Sequence, residues 1–437
     1  MCGSIPQTKR SRSPNLIVIK TASIFTFIAV MTGAPGAARS TAAFVQHHGR
    51  MSKNWRMSRS VARTMTSSST RGRGASQEDG GSEGPDERVS LAPMMEYTDR
   101  HLRFLLRLLS KRMVLYTEMI TAPTLYHNEE SRDRFLRFNS PAEHPVVLQL
   151  GGSDPEQLAE ASRLASPYKY NAMNLNCGCP SERVSGKGCF GAALMREPER
   201  VAELCTAMSE GSQGKIPVTV KCRIGVDDDD SYEQLARFVE TVSGASPVRH
   251  FLVHARKAIL GGLSPDQNRK VPPLKYPFVY RLSREFPHLR FTLNGGVLSY
   301  EDVAEHLREG VHGVMIGRAV VARPFYWSDV DARVFGSADG NPGLTRREVL
   351  DRYGAYAQEE EARGGPRMRR LLIKPVHNLF AGEPMGKRFR ATLDQALLEP
   401  SLDVRQVLER ATAVMPAALL EVPPGSAAIP APEAVRH

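Results

Sequence analysis

Eight short apolar runs recur between residues 89 and 316, and they constrain the fold of this chain more than any other feature. They are Val89–Met95, Met113–Met119, Pro145–Leu150, Ala172–Asn176, Val218–Cys222, His250–His254, Arg290–Asn294 and Gly313–Ile316. Each is too short for a buried helix and long enough for a strand. Amphipathic stretches separate most of them, among them Asp99–Ser110, Asp154–Leu164, Pro198–Met208, Tyr232–Thr241 and Tyr300–Arg308. Eight strand–helix units over roughly 240 residues fit an α/β fold of the (β/α)8, or TIM-barrel, kind. A doubly wound sheet would want a Gly-x-Gly-x-x-Gly turn directly after an early strand, and none of the early runs is followed by one.

Active sites of such barrels form at the carboxyl ends of the strands. Polar residues gather there: Gln149 after the third run, Asn176 and Cys179 after the fourth, Lys221 and Arg223 at the fifth, and His254 and Arg256 at the sixth. Asn294, Gly295 and Gly296 end the seventh, and Gly317 and Arg318 the eighth. A single such residue is ordinary packing. Six successive strand ends are not, because burying polar groups is costly unless they are partnered. Loops after strands seven and eight of barrels commonly hold phosphate. Glycines let backbone amides approach the oxygens, and Arg318 adds a forked cation. A phosphorylated small ligand or flavin mononucleotide (FMN) is the expected occupant.

The flanks differ in composition from the barrel. Of the chain's 58 basic residues, twelve fall in residues 1–77, which contain no Asp or Glu. The remaining 46 face 47 acidic residues, so bulk charge says nothing about nucleic acid, and any RNA surface must be a local patch. Residues 1–43 are laid out like a signal peptide, with Lys9, Arg10 and Arg12 before an apolar stretch and small residues Gly33 to Ala38 after it. Residues 44–88, opening on Phe44, read as a disordered transit peptide and linker. The pair resembles the bipartite presequence of algae with secondary plastids. Plastid is the expected destination, mitochondrion the alternative, and a mature protein without stable membrane association follows. The barrel is assigned to 89–335. Helices expected at Thr345–Ala362, Arg367–Phe380 and Leu402–Val414 make a second, all-helical domain over 345–415. That domain is locally basic through Arg367, Arg369, Arg370, Lys374, His377, Lys387, Arg388 and Arg390. Residues 421–437 read as a disordered tail. A monomer is the expected state. None of the six cysteines forms a Cys-x-x-Cys pair, so free thiols and no metal are expected.

Several segments then become specific. Leu91-Ala-Pro-Met-Met-Glu-Tyr-Thr-Asp-Arg100 resembles the first-strand signature of the tRNA-dihydrouridine synthases. Asn174-Leu-Asn-Cys-Gly-Cys-Pro-Ser-Glu-Arg183 resembles their catalytic motif. Val218–Gly225, Val253–Ala258, Leu293–Gly296, Gln149–Ser153 and Met315–Arg318 correspond in order and spacing. The resemblance spans roughly residues 88–415. Leu115–Met119 and Gly262–Pro265 are similar to the subgroup that acts on D-loop uridines 20 and 20a.

The resemblance implies FMN as cofactor, NADPH as reductant and tRNA as substrate. Pro93 and Met94 would lie against the isoalloxazine ring. Gln149 and Lys221 would bond to its polar edge, and His254 would sit near ring and ribityl chain. Asn294, Gly295, Gly296, Gly317 and Arg318 would hold the phosphate. Reducing the uracil 5,6 double bond needs a hydride at C6, from flavin N5, and a proton at C5. A thiol, ordinarily near 8.5, suits the proton. In the family that donor is the motif cysteine, here Cys179. Cys177 departs from the usual apolar residue, and on an extended strand end it would share a face with Cys179. Asn176, Arg183, Arg256 and Lys257 would meet the base or RNA backbone, Asn176 reading uracil with both donor and acceptor. The helical domain would bind tRNA. Two other readings stay open: a small-molecule FMN oxidoreductase of the dihydroorotate or dihydropyrimidine type, and a tRNA chaperone without turnover.

Overall fold

A computed structural model of the chain describes residues 85–181, 190–337 and 343–424. The presequence-like segment and the end of the tail lie outside the described residues. The described residues fall within one compact unit.

Eight parallel strands run in the order β1-β8-β7-β6-β5-β4-β3-β2. They are β1 Val89–Leu91, β2 Leu115–Thr121, β3 Val146–Gly151, β4 Ala172–Cys177, β5 Val218–Arg223, β6 His250–His254, β7 Arg290–Asn294 and β8 Gly313–Ile316. Val114 closes the ring, donating to Val89 O at 3.1 Å and accepting from Leu91 N at 2.8 Å. The TIM barrel expected from the sequence is therefore present, and β6, β7 and β8 match the expected runs residue for residue. Only β1 falls clearly short of its run. After Ala92 the chain turns, with Tyr97 N and Thr98 N both bonded to Met94 O.

Alternation builds two cores. Residues pointing into the barrel, including Val114, Tyr116, Val147, Ala172, Leu252 and Met315, form one cluster. Residues pointing outward pack under the helices in a much larger one. The helices start where short polar side chains can satisfy first-turn amides. Asp99 caps Arg100–Leu109, Asp154 caps Pro155–Ala165, and Ser231 and Ser299 form capping boxes on Tyr232–Ala245 and Tyr300–Arg308.

The C-terminal helical region is present, with two differences from expectation. The stretch expected as one helix over Arg367–Phe380 is three short pieces, Pro366–Met368, Arg369–Ile373 and Lys374–Asn378. Pro375 has no amide hydrogen to continue the ladder. An additional helix, Gly386–Ala396, buries Phe389, Leu393 and Ala396. Its first residue must be glycine, since a Cβ on Gly386 would lie 2.1 Å from Phe380 O. The region docks through Arg346–Gly364 onto Arg100–Leu109. Phe104 and Tyr356 stack at 3.9 Å, and His101 Nδ1 lies 2.8 Å from the Tyr356 hydroxyl. Buried Arg346 reaches Glu383 at 2.6 Å and covers the Phe325 ring at 4.1 Å. No helix among the described residues is long and apolar enough to cross a membrane.

The amino end of the barrel holds a buried polar group of its own. The Tyr116 hydroxyl lies 2.9 and 2.7 Å from the two oxygens of Glu87, and His250 Nε2 is 2.7 Å from Thr292 Oγ1. Burial raises the Glu87 carboxyl to about 7. Burial, reinforced by His312 and Arg290, holds His250 well below its usual value. Both are thus neutral near pH 6 in the folded protein. In the unfolded chain the Glu ionises above about 4.5 and the His charges below about 6.5. Between those values folding binds one proton on Glu87 and releases one from His250, so their slopes cancel. Glu87→Gln removes the uptake. Its stability should rise from pH 4.5 to 6.5 by up to ~1.4 kcal/mol per unit relative to wild type. Urea unfolding across this range measures it, and parallel curves for the two proteins would contradict it.

Candidate active site

The carboxyl end of the barrel carries a connected set of side chains. On β4, Asn174 and Asn176 point inward. Gln149 Nε2 donates to Asn174 Oδ1 at 2.8 Å, and Asn174 Nδ2 donates to Thr219 Oγ1 at 2.9 Å. Asn176 Nδ2 donates to Gln149 Oε1 at 2.9 Å. Gln149 therefore keeps one N–H and one lone pair for a ligand.

Asn176 Oδ1 accepts from the amides of both Gly178 and Cys179 at 3.0 Å. This corrects the sequence expectation for Asn176: both acceptor positions are committed to the turn, so it cannot present donor and acceptor together to a base. It positions Cys179 instead. Arg223 fastens the turn from the other side, Nε donating to Gly178 O at 2.9 Å and Nη1 to Lys257 O at 3.1 Å and Asn268 O at 3.0 Å. Burial brings its guanidinium down to about 10.

Gly178 also separates the two cysteines. Cys177 is the last residue of β4, beside Cys222 in register, and is fully buried on the outer face. Burial, with Cys205 and Cys222 adding to it, pushes its thiol well above the usual range. Cys179 lies past the strand end and is partly exposed. Both pack against the same outer core cluster, Cys177 fully and Cys179 only in part. Cys179 acts electrostatically on both Lys221 and Arg223.

Opposite the turn, Lys221 Nζ donates to Asn294 Oδ1 at 3.0 Å, and Asn294 Nδ2 donates to Met315 O at 2.8 Å. Burial, helped by Arg223, lowers Lys221 to about 8. The lysine thus carries its charge only below that pH. Burial and then Arg223, Lys221, Arg256 and Arg318 hold His254 far below its usual value, leaving the ring neutral. The charged groups that bear most on His254 are cations, which suits an anionic ligand.

Gly295 and Gly296 have φ of +113° and +76°. A Cβ at Gly295 would sit 2.6 Å from the His254 ring, and one at Gly296 2.4 Å from the Tyr276 hydroxyl. Tyr276 donates to Gly295 O at 2.8 Å and pins the turn. Gly317 lies against Met94, whose sulfur would be 3.3 Å from an added Cβ. Pro93 and Met94, both partly buried, thus reach the eighth-strand end from the first.

Arg318 Nη2 is 3.4 Å from Arg269 O, and Nη1 is 3.9 Å from Asp266. Two residues expected at the RNA mouth are occupied within the protein. Arg256 Nη1 bonds to Pro272 O and, at 3.3 Å, Lys270 O, and Lys257 Nζ lies 3.5 Å from Asp230. Arg183 lies outside the described residues. The sequence reading gave no role to Arg223, Asn174, Thr219 or Tyr276. Asn174 and Thr219 could have been found from the inward period shared with Asn176 and Lys221. Tyr276 arrives from the start of the helix Tyr276–Glu285, outside the strand-end pattern, and leaves no local signal.

The family model described as Dihydrouridine synthase (Dus) matches residues 90–411. This chain belongs to the dihydrouridine synthase family. It is 46% identical over 310 residues to the tRNA-dihydrouridine(20/20a) synthase of Synechocystis, covering 71% of this chain and 89% of that protein. Proteins of the same name from Vibrio vulnificus and Escherichia coli K12 are 44% identical, over 75% and 74% of this chain and 97% and 90% of theirs. An old yellow enzyme homologue from Zymomonas mobilis superposes with a TM-score of 0.41 at 12% identity, over 59% of this chain and 90% of that one, too slight a likeness to add to the assignment. Within the dihydrouridine synthase match fall every described strand-end residue named above and the whole of the turn around Cys179.

Proposed function

We propose that this chain is an FMN-dependent tRNA-dihydrouridine synthase that reduces uridines 20 and 20a of the D-loop, with NADPH as electron source. The observation that carries the proposal is the placement of Cys179. The turn that carries its partly exposed thiol is held by Asn176 and Arg223, at the same end of the barrel as Lys221, His254 and the Gly295–Gly296 turn.

The donor set fits FMN. The surplus of cations around His254 favours a phosphate, and the positive-φ glycines expose backbone amides. Gln149 has unused capacity toward a flavin edge, and Lys221 bonds only a neutral amide there. Asn294, Gly295, Gly296, Gly317 and Arg318 would hold the ribityl phosphate, with Pro93 and Met94 along the ring. Bound FMN supplies a hydride to uracil C6. Cys179 would give its proton to C5, so that the 5,6 double bond becomes a single bond carrying two new C–H bonds. The sulfur is left as thiolate beside Lys221 and Arg223, whose charges lower its cost, and solvent returns the proton. The uridine must leave its stack to enter. Exposed Arg367, Arg370, Lys387 and Arg388 supply charge for the RNA backbone. Residues 1–77 serve in this reading as a plastid address, testable by the N-terminus of the protein recovered from isolated plastids and mitochondria.

The test is spectroscopic. The purified chain should carry FMN that NADPH bleaches and that unmodified tRNA, but not dihydroorotate's product orotate or free uracil, reoxidises without oxygen. Reoxidation by a free pyrimidine alone would favour the small-molecule oxidoreductase.

A further inference from the structure

The loop after β1 exposes more apolar surface than the pocket requires. Met95 is 57% exposed and Tyr97 47%. The Tyr97 ring is braced, with Lys374 Nζ 4.6 Å from its centroid while the same ammonium bonds to Glu96 O. Its hydroxyl has no partner among the described residues. Tyr97 thus presents an aromatic face at the junction of barrel and helical region.

That face borders a cavity of about 610 Å³. Leu397 and Leu398 form an apolar side, and Arg370, Lys374 and His377 a basic one. Leu398 is 70% exposed, so the apolar side is itself uncovered. Two of its lining residues lie close along the chain to residues of the strand-end site. Tyr97 N bonds to Met94 O at 3.1 Å, and Val321, also lining the cavity, follows Arg318 in the same short helix. His377 Nε2 lies 3.1 Å from Asp394, whereas Arg370 has no carboxylate partner among the described residues. An exposed ring, an adjoining cation and an apolar wall are the elements of a stacking platform for single-stranded nucleic acid.

We propose that Tyr97 stacks the base of a nucleotide flanking the uridine that enters the barrel, while Arg370 and Lys374 neutralise the phosphates on either side of it. This rests on the reading of tRNA as substrate. Stacking there holds the D-loop open next to the pocket and sets which of two neighbouring uridines is presented. Any base satisfies it, because every base has a π-face.

The test uses the full FMN-loaded chain and an unmodified tRNA transcript with uridines at 20 and 20a. Gel-shift affinity and single-turnover dihydrouridine formation are both read. Tyr97→Ala should weaken tRNA binding about tenfold or more. Tyr97→Phe and Tyr97→Trp should bind within about twofold of wild type. Thermal midpoint and flavin content report folding, and Tyr97→Leu replaces Tyr97→Ala should the latter lose its flavin. Wild-type affinity in Tyr97→Ala or Tyr97→Leu overturns the inference, as does a loss in Tyr97→Phe equal to that in Tyr97→Ala. A wild-type protein that reduces tRNA while Tyr97→Ala is indifferent overturns this inference alone. A wild-type protein that neither binds nor reduces tRNA overturns the substrate reading and this inference with it.

Discussion

Cys179→Ala is expected to slow dihydrouridine formation by roughly 10²–10⁴-fold, the usual worth of a positioned acid. Reduction of the bound flavin by NADPH should continue, because the thiol has no part in that step. The loss should fall mainly on rate, since Cys179 lies beyond the strand and is only partly buried against the core. Cys177→Ala is the control. That side chain is sealed between β4, β5 and the helix carrying Cys205, so tRNA reduction should stay within about twofold, with at most ~1–2 kcal/mol lost for a small cavity. Single-turnover mixing of the reduced enzyme with tRNA separates the outcomes. Equal losses in the two variants would mean that the thiol beyond the turn is not the acid.

Arg223→Met should cost both stability and activity. The guanidinium, 3% exposed, supplies three carbonyls from separate segments: Gly178 in the Cys179 turn, Lys257 after β6 and Asn268 in the loop beyond. Methionine fills much of the volume and leaves all three without a donor. Each bond to a charged group is worth ~1.5–3 kcal/mol, and the losses overlap. A total of about 3 kcal/mol is expected, which for a folded unit of this size lowers the thermal midpoint by about 4 °C. Freed on one side, the Cys179 turn should drift. A displacement near 1 Å is enough to cost about 10²-fold in rate. Calorimetry and single-turnover kinetics on the same preparation check both parts. A variant with wild-type rate but lowered stability would show that Asn176 alone aims the thiol.

The fold was legible because a barrel repeats one local unit eight times, and Gly or a polar residue marks each strand end. β6 to β8 could be bounded to the residue for this reason. The Arg367–Phe380 stretch misled because its apolar spacing continues through Pro375, where the backbone cannot. Gly386–Ala396 went unnoticed because it opens on a glycine that only the distant Phe380 carbonyl explains. In the site, residue types singled out Gln149, Lys221, His254 and the glycines, which the fold gathers at one end of the barrel. What sequence could not give was the direction of each bond. Asn176 has the chemistry to read a base, and only its contacts show that it holds a turn instead. Lys257 and Arg256 looked available and are engaged by Asp230 and by the 270–272 backbone.

The most direct measurement of the central claim is mass-spectrometric mapping of dihydrouridine in unmodified tRNA after incubation with the full chain, FMN and NADPH. The account predicts a mass gain of two hydrogens at positions 20 and 20a, absent with Cys179→Ala. A protein that binds FMN and consumes NADPH while every tRNA uridine stays unreduced would contradict it.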